Sequence, residues 1–108
     1  MNPSSDHALA FRSAQSHRRD TRIVLKLLSA LRGGLLEVRL PNGNAVLFGD
    51  GENGVSLQVH DEDFFSRVLA RGDIGFAEAY LDGQWDSPDL TALLTLLARN
   101  RPALSRAV

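Results

Sequence analysis

The chain has 108 residues, enough for one domain with a modest core. Hydrophobic residues make up 44%, charged residues 23%, and the net charge is −1, a balance that suits an ordinary globular domain. The absence of cysteine excludes disulfides, thiolate metal ligands and cysteine nucleophiles, and no apolar run approaches the roughly 20 residues that cross a bilayer.

Residues 1–19 are polar and without periodicity, so a disordered tail is expected there. This stretch has no apolar h-region, so it does not read as a secretory signal, and cytoplasmic residence is the expectation. A helix should follow from about Asp20, because Ile23, Val24, Leu27, Leu28 and Leu31 recur at helical spacing and Gly33-Gly34 ends the pattern.

Leu36, Val38 and Leu40 alternate with Glu37 and Arg39, as in a half-buried strand. Pro41-Asn42-Gly43-Asn44 is a hairpin signal, and Ala45–Phe48 returns as a second strand. Gly49–Gly54, GDGENG, reads as a plain hairpin-type connection: it lacks the ligand pattern of a calcium loop and the Lys-Ser/Thr of a phosphate loop. Val55–His60 alternates again, which predicts an antiparallel meander.

Asp61 is placed to cap the next helix, with Glu62 and Asp63 in its first turn and Phe64, Phe65, Val68 and Leu69 on its apolar side. Gly72 should end it, and a short helix from Asp73 to about Leu81 should stop at Asp82-Gly83. Gln84-Trp85-Asp86 reads as a short edge strand. Ser87, Pro88 and Asp89 open a last helix with Leu90, Leu93, Leu94 and Leu97 as its stripe and Arg101-Pro102 as its stop. Strands cluster and helices cluster. The expected class is α+β: a small antiparallel sheet of three to four strands with helices packed on one face.

The charge is segregated. Residues 1–32 carry a net +4, residues 33–98 a net −8, and residues 99–108 three arginines and no acid. Arg18, Arg19 and Arg22 are therefore candidates for contact with an anionic surface, where a basic residue contributes about 1 kcal/mol. Nucleic acid is not expected, since the acidic middle repels phosphate and no aromatic residues interleave with the basic ones.

No catalytic residues and no metal site are expected. His7, His17 and His60 lack partners at ligand spacing. Tyr80 and Trp85 suit ring burial with a hydrogen bond through the polar end, or contact with a ligand or second domain. No glycine-rich loop after a strand offers a cofactor pocket. The apolar sides of the helices either fill one core or leave a cleft for an acyl chain, in which each CH₂ moved from water contributes about 0.8 kcal/mol.

Two longer words carry a family resemblance: LLSALRGGLLEVRLPNG (Leu27–Gly43) and VHDEDFFSRVLARGDIGFAEAYLDGQWDSPDLTALLTLLARNR (Val59–Arg101), of which Gly72–Trp85 is the specific part. They resemble the N-terminal domain of cyclopropane-fatty-acyl-phospholipid synthases. The resemblance implies a non-catalytic lipid- and membrane-engaging domain over residues 20–100. It implies that residues 101–108 begin a linker to a catalytic domain absent from this chain. That bacterial enzyme would transfer a methylene from S-adenosylmethionine to unsaturated phospholipid acyl chains. No catalytic residue of the family has a counterpart here.

Expected partners are a phospholipid or membrane surface, the chain's own catalytic domain, and a second copy. The expected place is the cytoplasm, peripheral at the inner membrane surface. Phe64, Phe65, Val68, Phe76, Tyr80, Leu81 and Trp85 are the candidate lipid or domain contacts. The α+β layout is also analogous to the sterol-carrier-protein type of lipid-binding fold. The alternative function is a docking or dimerisation module without lipid affinity, with Tyr80, Trp85 and the last helix at the contact, where Leu93 or Leu97 to Glu should dissolve a dimer.

Overall fold

A computed structural model describes residues 18–52 and 54–106. The elements are α1 (residues 18–28), β1 (Leu35–Arg39), β2 (Ala45–Gly49), β3 (Gly54–Val59), α2 (Asp63–Leu81), β4 (Trp85–Asp86), α3 (Leu90–Arg99) and α4 (Arg101–Arg106). The α+β class holds. Arg18 and Arg19, read from sequence as tail, belong to α1. The rest of the expected tail, residues 1–17, lies outside the described residues, as do residues 107–108 of the expected linker.

The sheet has the order β2-β1-β3-β4 and is mixed, where the sequence predicts a wholly antiparallel meander. β1–β2 and β3–β4 are antiparallel, but β3 lies parallel to β1, with Leu36 opposite Val55 and Val38 opposite Leu57. The cause is the GDGENG loop, which is a crossover and not a hairpin. Leu35 pairs with Gly49 on one side and with Gly54 on the other, so the loop carries the chain past the end of β1.

The turn after α1 clamps this crossover. Asp50 Oδ1 accepts from the N–H groups of Gly33 (3.0 Å) and Gly34 (3.3 Å), and the Asp50 N–H donates to the Gly34 carbonyl (2.9 Å). Gly49 adopts φ 85°, and a Cβ there would lie 2.0 Å from the Gly34 oxygen, so only glycine fits. The arrangement keeps β1 and β3 central and leaves the less buried β2 at the edge.

One face of the sheet is covered. Leu36 and Val38 of β1, Leu57 and Val59 of β3 and Trp85 of β4 share a core with Val24, Leu28 and Leu31 from α1 and its following turn. Phe64, Phe65 and Ala79 from α2 and Leu93 and Leu96 from α3 complete it. Burying side chains of this size contributes about 1.5–3 kcal/mol each. The opposite face, with Glu37, Arg39, Leu47 and Gln58, has no helix over it among the described residues.

Two helix ends differ from the sequence reading. Asp89, not Ser87, caps α3: its Oδ1 accepts from the Ala92 N–H (3.0 Å), and Leu93 and Leu96 form the buried stripe while Leu94 turns outward. Arg101-Pro102 does not stop the chain's helical course but opens α4. Proline is tolerated in a first turn because its missing N–H would have no partner there.

Candidate functional site

The segment Gly72–Trp85 folds into a tightly determined corner. α2 is two helices joined at Gly72, whose φ 58° and ψ −133° break the helix. This is a conformation that L side chains rarely adopt. After the break the second half folds back against the first. A Cβ on Gly75 would come 2.3 Å from the Arg67 carbonyl oxygen, so the two halves meet backbone to backbone. Arg67 also reaches past the end of the second half, its Nη1 donating to Asp82 Oδ2 at 2.8 Å. That hydrogen bond, together with the negative charge of Asp82, raises the guanidinium pKa further above its ordinary value.

The second half ends in a Schellman motif. Gly83, at φ 74°, donates to the Tyr80 carbonyl (3.0 Å), and Gln84 donates to the Ala79 carbonyl (2.9 Å). The chain then enters β4, where the Trp85 indole N–H donates back to the Phe76 carbonyl at 2.8 Å. Phe76 stacks on Trp85 at 4.2 Å between centroids, with Phe64 at 6.4 Å and Tyr80 at 4.9 Å.

This geometry sorts the candidate contact residues. Phe64, Phe65 and Trp85 are buried and hold the corner from within, and Val68 and Phe76 are half-buried against them. Tyr80 and Leu81 face solvent at 41% and 82% exposure. The sequence reading missed Ile74, which is 62% exposed. Gly75 and Ala79 set the phase of this half by turning inward, so Ile74, Ala77 and Leu81 line up at i, i+3 and i+7 on the outward side. The signal was present in the two small residues. Reading the largest side chains as the buried set hid it.

Three ion pairs border this stripe: Arg71 with Glu78 (2.9 Å), Arg67 with Asp82 (2.8 Å), and Arg101 with Asp73. The acids next to the apolar side chains are thus compensated by arginines from three different turns.

Arg18, Arg19 and Arg22 are all exposed on α1, together with Lys26. Of the residues expected at a contact between copies, Leu93 is wholly buried and Leu97 is half-buried against the core. His60 Nε2 lies 3.1 Å from Asp86 Oδ2 at the exposed sheet end, and His7 and His17 lie outside the described residues. Among the described residues no group of three or more His, Asp or Glu side chains is placed to hold a metal, and no helix is long and apolar enough to cross a membrane. The two strand-to-helix passages, His60–Glu62 and Ser87–Asp89, are acidic and contain no glycine, so they do not fit a nucleotide-type cofactor.

The chain is 48% identical over 44 residues to a tuberculostearic acid methyltransferase of Mycobacterium tuberculosis, a match covering 40% of this chain and 10% of that protein. It is 34% identical over 50 residues to a cyclopropane-fatty-acyl-phospholipid synthase of Escherichia coli K12, covering 46% of this chain and 13% of that protein. The shared segment is therefore a small fraction of each relative's length. No protein-family model matches the chain, and no solved structure matches it. These partial matches support the resemblance read from the sequence: the chain shares a segment with cyclopropane-fatty-acyl-phospholipid synthases and a related lipid methyltransferase.

Proposed function

We propose that this chain is a non-catalytic, lipid-surface-engaging domain of a cyclopropane-synthase-type protein. A separate catalytic domain would transfer a methylene from S-adenosylmethionine to unsaturated phospholipid acyl chains. The observation that carries the reading is the outward stripe of Ile74, Ala77 and Leu81 with Tyr80 beside it. Large apolar side chains at this exposure cost solvation in water, and together they form the apolar side of an amphipathic helix. Tyr80 presents an apolar ring with a polar tip, the type of side chain that suits a membrane–water boundary. The bordering acids are each paired with an arginine, which lowers their repulsion from an anionic surface. The names of the similar proteins specify fatty-acyl phospholipid and tuberculostearic acid, which favours lipid as the partner.

The test is co-sedimentation of the chain with unilamellar vesicles, beside an Ile74→Ser, Leu81→Ser double variant. The wild-type chain pellets with vesicles and the variant stays in the supernatant with an unchanged melting temperature. A wild-type chain that never pellets removes the lipid role. A docking or self-association module is the second reading. The large–small–large order of Ile74, Ala77 and Leu81 favours it, since an antiparallel copy would set Ile74 against Leu81 across Ala77. Sedimentation equilibrium showing a dimer that Leu81→Ser dissolves, with no vesicle binding, selects it.

A further inference from the structure

Resting on the lipid reading above, we propose that α1 selects the surface. Its outward face is a ladder of cations for anionic phospholipid headgroups, with Ile23 among them at the acyl boundary. Arg18, Arg22 and Lys26 stand at i, i+4 and i+8 with Arg19 beside them, and all four are exposed. Val24 and Leu28 occupy the opposite side and enter the core. α1 has one acid among its described residues, Asp20, and it is drawn inward: its Oδ2 accepts from Ser66 Oγ on α2 at 2.6 Å. Its Oδ1 lies 4.0 Å from Arg19 Nε, so Arg19 is partly compensated and Arg18, Arg22 and Lys26 carry the outward positive charge.

Ile23 interrupts this basic face at 42% exposure. An isolated apolar side chain within a cation ladder has no role against a phosphate backbone, and among the described residues of α1 no aromatic accompanies it to stack on a base. At a bilayer both features are used, because lysine and arginine heads reach phosphates while an aliphatic chain enters the hydrocarbon edge. Ser66 is thereby a positioning residue. By holding Asp20 Oδ2, it keeps this carboxylate turned toward α2.

The test uses vesicles of phosphatidylcholine with and without phosphatidylglycerol. An Arg22→Gln, Lys26→Gln variant should keep its fold and lose roughly 25-fold in partition to the anionic vesicles, about 5-fold per cation. Wild-type binding should fall as salt rises from about 0.1 M to about 1 M, where screening shortens to a few ångströms. Since the chain has no cysteine, Ile23→Cys and Leu47→Cys each accept a single environment-sensitive fluorophore. The label at position 23 shifts to the blue on anionic vesicles, and the label at position 47, exposed on β2, does not. Wild-type partition that the glutamine variant and salt leave unchanged overturns the α1 inference while the lipid reading stands. No wild-type binding to any vesicle removes the lipid reading and this inference with it. Equal, salt-sensitive binding to duplex DNA overturns the inference in favour of a general polyanion surface.

Discussion

The side chain of Asn100 pairs with both main-chain groups of Arg32, 68 residues earlier. Asn100 Oδ1 accepts from the Arg32 N–H at 2.8 Å, and Asn100 Nδ2 donates to the Arg32 carbonyl at 2.9 Å and to the Leu96 carbonyl at 2.9 Å. The amide substitutes for a strand neighbour and ties the end of α3 to the turn between α1 and β1. Asn100→Ala should lower stability by about 2–3 kcal/mol, because it leaves partly buried main-chain groups without partners. Urea denaturation checks this, with an unchanged m-value if the fold is kept.

Gly75 and Gly72 should fail for different reasons. Alanine at 75 places Cβ 2.3 Å from the Arg67 carbonyl oxygen, so the halves of α2 must separate. Alanine at 72 meets nothing within 4 Å and carries only the torsional cost of φ 58°, about 1–3 kcal/mol. Gly75→Ala is expected to be the more damaging. It should also red-shift Trp85 emission, since Trp85 depends on the Phe76 carbonyl one residue beyond. Thermal melts and fluorescence spectra of the two variants decide it.

Asp50→Ala releases the crossover from the Gly33-Gly34 turn, and a loss of about 1–2 kcal/mol is expected. Asp50→Asn keeps an acceptor oxygen at the same place and should recover most of that loss. Equal destabilisation by both variants would show that charge, and not the acceptor geometry, holds the loop.

The Arg67–Asp82 pair gives a pH prediction. A guanidinium with a raised pKa contributes stability that is fully present below its unfolded pKa and is lost only as pH climbs through the higher folded value. Arg67→Met should therefore lower the melting temperature equally at about pH 6 and about pH 9. A deficit that shrinks between them would mean that Arg67 does not act through this charge.

Local signals in the sequence placed most elements. The alternation in Leu35–Leu40 and Val55–His60 and the Asn42-Gly43 turn gave strands and a hairpin in the right places. The parallel pairing of β1 and β3 was not legible, because it follows from a contact between Asp50 and a turn 16 to 17 residues away. Asn100 reads locally as a helix terminator, and its distant partner leaves no periodic trace. The candidate surface was half legible. Tyr80 and Leu81 of the exposed side stand among the candidates read from the sequence, and Ile74 does not, because helix phase here follows the small residues Gly75 and Ala79.

Spin labels compare the outward stripe with the opposite side of the molecule most directly. Nitroxides at Leu81→Cys and Leu47→Cys would be read on vesicles for collision with oxygen, which concentrates in the bilayer, and with a water-soluble nickel chelate. The account predicts that the label at 81 becomes oxygen-accessible and chelate-shielded while the label at 47 stays in water. Chelate access at 81 equal to that at 47, with the chain bound to the vesicles, would contradict it.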